Sequence, residues 1–295
     1  MNKRGGHFSP HKVVMMLAVM DLIASGETDG NRIVYGPELL EHFRSYFDVV
    51  KTDADSCTPL NPFFYLRSEP FWHHHAVPGK EAVCEALSSP GGSKKLAEVI
   101  DFVFLDDELF AALQNVSLRK EIREAVICRY FPAMHETLSR LADKEESVGL
   151  YAQVLRGELK EAGRVKEDSV VRDLAFARVV KRAYHYQCAA CGLRILFDGI
   201  SLVDAAHIIP FATSHDDNPC NGISLCKNHH WAMDHEMIFP CTDNKWHVHK
   251  DLDDRMDARR SLISLHGKSI ILPEQQQFAP KQESLEWRER RLNSL

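Results

Sequence analysis

The chain has 295 residues, 44% of them hydrophobic and 26% charged, and a net charge of −6. That length predicts two domains rather than one, and the composition excludes a disordered or fibrous chain. The acidic balance excludes an overall basic field, so any DNA binding must come from a local patch or a shaped site; the eight cysteines are too few and too scattered for a disulfide scaffold and predict a reducing, cytoplasmic compartment.

In chain order, the apolar run Val13 to Met20 is too short to span a bilayer, which takes about 20 residues. It predicts a helix buried on all sides and stopped near Gly26, and no membrane association is expected. A second helix is predicted from Pro37, with Leu39, Leu40, Phe43, Tyr46 and Phe47 as its apolar face. Asn31 to Tyr35 reads as a short strand or a loop. From Cys57 to Lys80, four prolines (Pro59, Pro62, Pro70, Pro78) exclude a continuous helix and predict an ordered aromatic loop with short strands. The histidines at 73 to 75 point in alternating directions along an extended chain and so cannot form one ligand set. The region from Leu96 onward is expected to be helix-rich, with Asp106 and Asp107 starting one helix and Asn115 or Ser117 the next.

Residues 141–170 are the most polar stretch and are expected to be a charged linker helix between a first domain, 1–140, and a second, 171–295. The helix predicted after it carries Arg172, Arg178, Lys181 and Arg182, the densest basic cluster in the chain.

That helix leads into Cys188 and Cys191, spaced C-x-x-C, and the spacing returns as C-x-x-H at Cys226 and His229. Two such pairs predict a tetrahedral structural zinc site, which a module this small needs in order to fold. A redox C-x-x-C would need a βαβ setting, which is absent. Between the pairs, the sequence predicts a strand ending near Pro210, a turn-rich loop over 213–222, a second strand and a helix. His207 then leaves the first strand, Asn221 closes the loop and His230 opens the helix, three groups that could converge on one divalent cation and one phosphate. Cys220 and Cys241 lie off the ligand spacing and read as packed thiols.

The motifs D-A-A-H-I at 204–208, N-G-I-S-L-C at 221–226 and H-H-x-x-x-D at 229–234 resemble those of the HNH endonucleases, over about residues 184–249. The resemblance implies a ββα-metal fold, His207 as the general base, Asn221 as the residue holding the loop and the base's orientation, and His230 as a ligand of the catalytic Mg²⁺ or Mn²⁺. Many members of that family carry an acidic or histidine ligand just before the base, where this chain has Ala206. Asp204 or Asp234 is then the candidate oxygen donor. The chemistry suits these types: a histidine titrates near neutrality and can take a proton from water, while a cation stabilises the phosphate and the leaving oxygen.

The first half is similar to the sulfur-binding domains that precede HNH modules in McrA-like, modification-dependent (type IV) restriction endonucleases, through His11 and Lys12 ahead of an apolar helix and N-P-F-F-Y-L at 61–66. Asn61 stands where that family has tyrosine. The similarity implies a DNA-facing set of His11, Lys12, Asn61, Pro62, Tyr65 and Arg67, to which Arg182 is added from the basic helix. A sulfur on the backbone is less hydrated than oxygen, so a pocket edged by Pro62 and aromatics could select it.

The expected protein is therefore α+β: a helix-rich DNA-reading domain and a zinc-stabilised nuclease that restricts phosphorothioated or base-modified double-stranded DNA in antiviral defence. An HNH nuclease gated by a ligand- or protein-sensing first domain and a non-catalytic zinc DNA-binding protein are the alternatives. The oligomeric state, a homodimer included, is left open.

Overall fold

In a computed structural model of the chain, the described residues are 3–4, 7–160, 168–255 and 261–294. Part of the expected linker, 161–167, and residues 256–260 lie outside them. The class is α+β, and the chain divides into two compact units, residues 1–150 with 198–200 and residues 151–197 with 201–295. Among the described residues no helix is long and apolar enough to cross a membrane.

The first unit begins with a short antiparallel pair, β1 (Lys3–Arg4) and β2 (His7–Phe8). Helix α1 (His11–Ala24) follows, buried nearly all round from Val13 to Ile23, as its unbroken apolar sequence requires, and Gly26 just beyond takes φ 67°. Helix α2 (Pro37–Val50) starts on its proline and turns Leu39, Phe43, Tyr46 and Phe47 into the same core. Asn31 to Tyr35 contributes only a bridge, Ile33 to Val103.

The expected aromatic loop contains a helix, α3 (Leu60–Tyr65). Pro59 precedes it and Pro62 sits in its first turn, where the missing N–H would have had no helical partner anyway. Strand β3 (Trp72–Ala76) then carries the three histidines and pairs with β4 (Ile100–Leu105) after the short helices α4 (Glu81–Ala86) and α5 (Ser93–Ala97). Strand β4 corrects the helical expectation for this stretch: Ile100, Phe102 and Val103 are buried around exposed Asp101, and β-branched and aromatic residues favour the pleat. Asp106 precedes α6 (Asp107–Gln114), and Asn115 caps α7 (Val116–Tyr130) by accepting from the Leu118 N–H.

Helix α8 (His135–Leu155) runs through the first half of the polar stretch. Polar by composition, it still buries Leu138, Ala142, Glu145 and Val148. Glu145 accepts from His42 at 3.0 Å, and the buried Asp21 accepts from Tyr46 Oη at 2.6 Å and from Arg123. The charged residues here are thus partly internal partners, as buried charges must be.

The second unit takes in the last turn of α8, from Tyr151, and then α9 (Ser169–Ala183), capped by Asp168. Then come β5 (Leu196–Phe197), β6 (Ile200–Ser201), β7 (Val203–His207), α10 (Phe211–Ser214), β8 (Gly222–Cys226), α11 (Lys227–Asp234), β9 (Ile238–Pro240), β10 (Trp246–Val248) and the closing α12 (Gln282–Asn293). Strands β7 and β8 pair antiparallel with Val203 opposite Cys226 and His207 opposite Gly222. Their core holds Phe176 and Val180 of α9, Ile223, Leu225 and Trp246.

Candidate active site and metal centre

The register of β7 and β8 decides where each functional side chain goes. Cys226 ends β8 and leads directly into α11, which brings His229 back one turn later. Cys226 Sγ and Cys188 Sγ stand 3.0 and 3.6 Å from His229 Nδ1, and the ligand atoms of Cys188, Cys191, Cys226 and His229 all lie within 4.8 Å of one another. Tetrahedral zinc holds its sulfur and nitrogen ligands about 3.5 Å apart, so the set fits that ion. The crowding also shows in the protons. Hydrogen bonding to Cys191 and Cys226 drives the Cys188 thiol far down, and hydrogen bonding to Cys188 drives Cys191 far up. For His229, burial acts downward, but bonding to Cys188 and Cys226 outweighs it and pushes the ring up to about 9. Four donors competing for protons are what a cation relieves on binding.

His207 closes β7, opposite Gly222. A Cβ at Gly222 would lie 2.8 Å from the Phe176 ring and 2.5 Å from Val180, so the missing side chain lets α9 approach the strand pair. Phe176 uses that space to stack on His207, ring centres 3.9 Å apart and nearly parallel at 4°. Burial lowers the His207 pKa, against the opposing pull of Asp217, whose Oδ1 is 3.5 Å from Nε2.

Asn221, fully buried, sits at the turn into β8 and clamps the chain leaving His207. Its Nδ2 donates to the carbonyls of Ile209 at 3.0 Å and Asp216 at 3.2 Å, and its Oδ1 accepts from the Ile209 N–H at 2.9 Å and Ser284 Oγ at 3.0 Å. All four capacities of one amide are used inside the protein, which suits a residue that shapes the loop.

His230 lies beside the zinc set but faces other partners. Its Nδ1 is 3.4 Å from Asp204 Oδ2 and its Nε2 is 3.4 Å from Asp234 Oδ2, one helical turn on. His230 Nε2 and Asp234 are thus close enough that both could hold one hard cation. Asp204 is engaged by Lys227, whose Nζ donates to both carboxylate oxygens at 2.6 and 2.7 Å. Ala206 is fully buried and offers no donor.

In the first unit, His11, Lys12, Asn61, Pro62 and Tyr65 line one cavity of about 680 Å³, with Ser9, Asp55, Ser56 and Thr58. The His11 ring is fixed from both sides, with Nδ1 bonded to Ser9 Oγ at 2.7 Å and Nε2 to the Ser56 carbonyl at 2.8 Å. Lys12 Nζ donates to Ser68 Oγ at 2.9 Å and Glu69 at 2.7 Å. Arg67 does not line this cavity: it donates to the Leu87 carbonyl and lies over the Phe64 ring. Arg182, on α9, belongs to the second unit.

Sequence reasoning passed over Asp217, Phe176 and Lys227, and placed Arg172 only in a basic cluster. Asp217 lay in a loop whose Asp, Asn and Pro read simply as turn formers, and no spacing rule links 217 to 207.

Compared with known proteins, residues 188–239 match the family model described as HNH endonuclease. No curated protein matches the chain. A solved structure, a "Modification dependent TagI restriction endonuclease", is similar at 19% identity and a TM-score of 0.29, covering 39% of this chain and 36% of that one. The segment from Cys188 into β9 thus carries the pattern of the HNH endonuclease family.

Proposed function

We propose that the chain is a divalent-metal-dependent endodeoxyribonuclease that restricts modified double-stranded DNA, with residues 171–295 cutting, residues 1–140 reading the mark and 141–170 joining them. What carries the reading is the placement of His207 at the end of β7 and His230 on α11 within the HNH segment, with Asn221 shaping the turn between them. His207 takes a proton from water, the water oxygen bonds to phosphorus, and the phosphorus bond to the leaving ribose oxygen breaks. Mg²⁺ or Mn²⁺, held by His230 with Asp234 or Asp204, supplies charge stabilisation for the phosphate and the leaving oxygen. Zinc at Cys188, Cys191, Cys226 and His229 holds the scaffold.

The reading role rests on five residues of the DNA-facing set sharing one cavity, which mixes the apolar Pro62 and Tyr65 with Lys12 and Asn61. Such a lining suits a phosphate in which sulfur replaces oxygen, with an altered base as the alternative mark. Cleavage of phosphorothioated, base-modified and plain plasmid by the full chain tests this. At least ten-fold faster cutting of one marked DNA is expected, abolished by Pro62→Gly with Tyr65→Ala. Equal rates on all three would remove the reader assignment and leave the nuclease.

A further inference from the structure

We propose that Asp217 is the positioning residue for His207: its carboxylate receives the Nε2 proton of the ring, leaving Nδ1 as the nitrogen that accepts a proton from water, while Arg172 competes for the same carboxylate. The inference rests on the reading of His207 as general base, which concerned His207 alone.

Two buried polar atoms face each other at this point. Among the described residues neither His207 Nε2 nor Asp217 Oδ1 makes a hydrogen bond of ordinary geometry, although they are 3.5 Å apart and Asp217 is only 7% exposed. A buried carboxylate oxygen and a buried ring nitrogen without hydrogen bonds would each carry a desolvation penalty. A small approach by the ring satisfies both.

The rest of the pocket keeps that approach in one direction. The Phe176 face holds the imidazole plane, so the ring can shift in its plane but not tilt. The loop carrying Asp217 is pinned on both sides: Asn221 Nδ2 holds the Asp216 carbonyl, Lys281 pairs with the Asp216 carboxylate, and the Asn218 N–H donates back to it at 2.9 Å. Asp217 Oδ2 meets Arg172 Nη1 at 3.4 Å, and Arg172 in turn lies over the Phe211 ring.

A carboxylate behind a base histidine has two effects. It fixes the tautomer and the ring's direction, and it stabilises the imidazolium formed when the proton is taken. Arg172 opposes the second effect by drawing on the same charge. Among the described residues, Asp216 and Asp217 of the loop and Asp173 of α9 act on the ring; Arg172 of α9 and Tyr151 of α8 lie beside Asp217, His215 lies beyond Phe211, and β8 places Gly222 opposite His207.

The test is the pH dependence of cleavage of the DNA that the wild-type chain cuts best, in Asp217→Asn and Arg172→Met. Asp217→Asn should lower kcat roughly ten- to hundred-fold with KM within about two-fold, and should move the acidic limb of the kcat profile to lower pH, because the imidazolium loses its counter-charge. Arg172→Met should move that limb to higher pH. A purely structural Asp217 would lower activity without moving the limb, and an unmoved limb in both variants, or shifts of the same sign, overturns the proposal. Zinc content and melting temperature identify a variant that fails to fold. If Asp217→Asn fails in that way, NMR titration of the His207 ring in wild type and Arg172→Met decides: a higher midpoint in the variant supports the coupling, and an unchanged one removes it. Undiminished cutting by His207→Ala would instead remove the underlying reading, whereas a dead His207→Ala beside an unmoved limb in Asp217→Asn overturns the positioning role alone.

Discussion

Arg288 donates from Nε to the main-chain carbonyl of Ile208, the residue after His207, at 2.6 Å. Its Nη1 reaches the carbonyl of Met233, the residue before Asp234, at 3.0 Å. One guanidinium from α12 therefore ties the end of the strand that carries His207 to the end of the helix that carries His230. The structure buries Arg288, and burial pushes its pKa down to about 10.

Arg288→Met should accordingly act on both stability and cutting. Losing the donor to two buried carbonyls costs about 3 kcal/mol, on the order of 10 °C in melting temperature for a unit of this size. Calorimetry and a nicking assay should show both losses in the variant, with DNA affinity retained. Weaker DNA binding at wild-type stability would instead make Arg288 a DNA contact.

Asn221→Asp keeps the side-chain shape but removes the Nδ2 donor to Ile209 and Asp216 and places a charge at a fully buried position. Cutting is expected to fall by at least ten-fold with zinc content unchanged, since the zinc ligands lie at the other end of β8. Zinc loss in this variant would show that loop and knuckle fold as one piece.

Cys188→Ala or Cys226→Ala should release the structural ion, read as zinc per chain by elemental analysis, and unfold the second unit. The first unit has its own core and should retain helical signal in circular dichroism. Unchanged zinc in both variants would remove the zinc assignment.

Lys12 is a candidate DNA contact that Glu69 already holds at 2.7 Å. Hydrogen bonding to Lys12 keeps the Glu69 carboxyl below its usual value of 4.5. A lowered carboxylate pKa means the pair is fully formed above the ordinary value and is lost as pH falls through the lowered one. A DNA phosphate engaging Lys12 near neutrality would have to displace Glu69. Glu69→Gln should therefore tighten DNA binding a few-fold and steepen its salt dependence, and unchanged affinity would place Lys12 outside the interface.

Much of the site could be read from the sequence because its chemistry is local. C-x-x-C, C-x-x-H and the residues from Asp204 to His207 each sit within one turn or one strand, and the β7, loop, β8, α11 order followed from alternation and turn residues. What escaped was set at long range. Asp217 meets His207 only because Asn221 folds the loop back, and Phe176 reaches the ring only because Gly222 opposite it has no side chain. Arg288 comes from 80 residues away. In the first unit, prolines that argued against a helix instead start α3, and β4 was taken as helix because its short apolar run fits either period.

The claim on which the rest depends is that His207 activates water for phosphodiester hydrolysis. Supercoiled plasmid incubated with Mg²⁺ or Mn²⁺, alongside an EDTA control, measures it directly by the appearance of nicked and linear forms. Wild-type chain should convert the plasmid only with metal, and His207→Ala, folded and still binding DNA, should leave it intact. Metal-dependent nicking by His207→Ala at the wild-type rate would contradict the assignment.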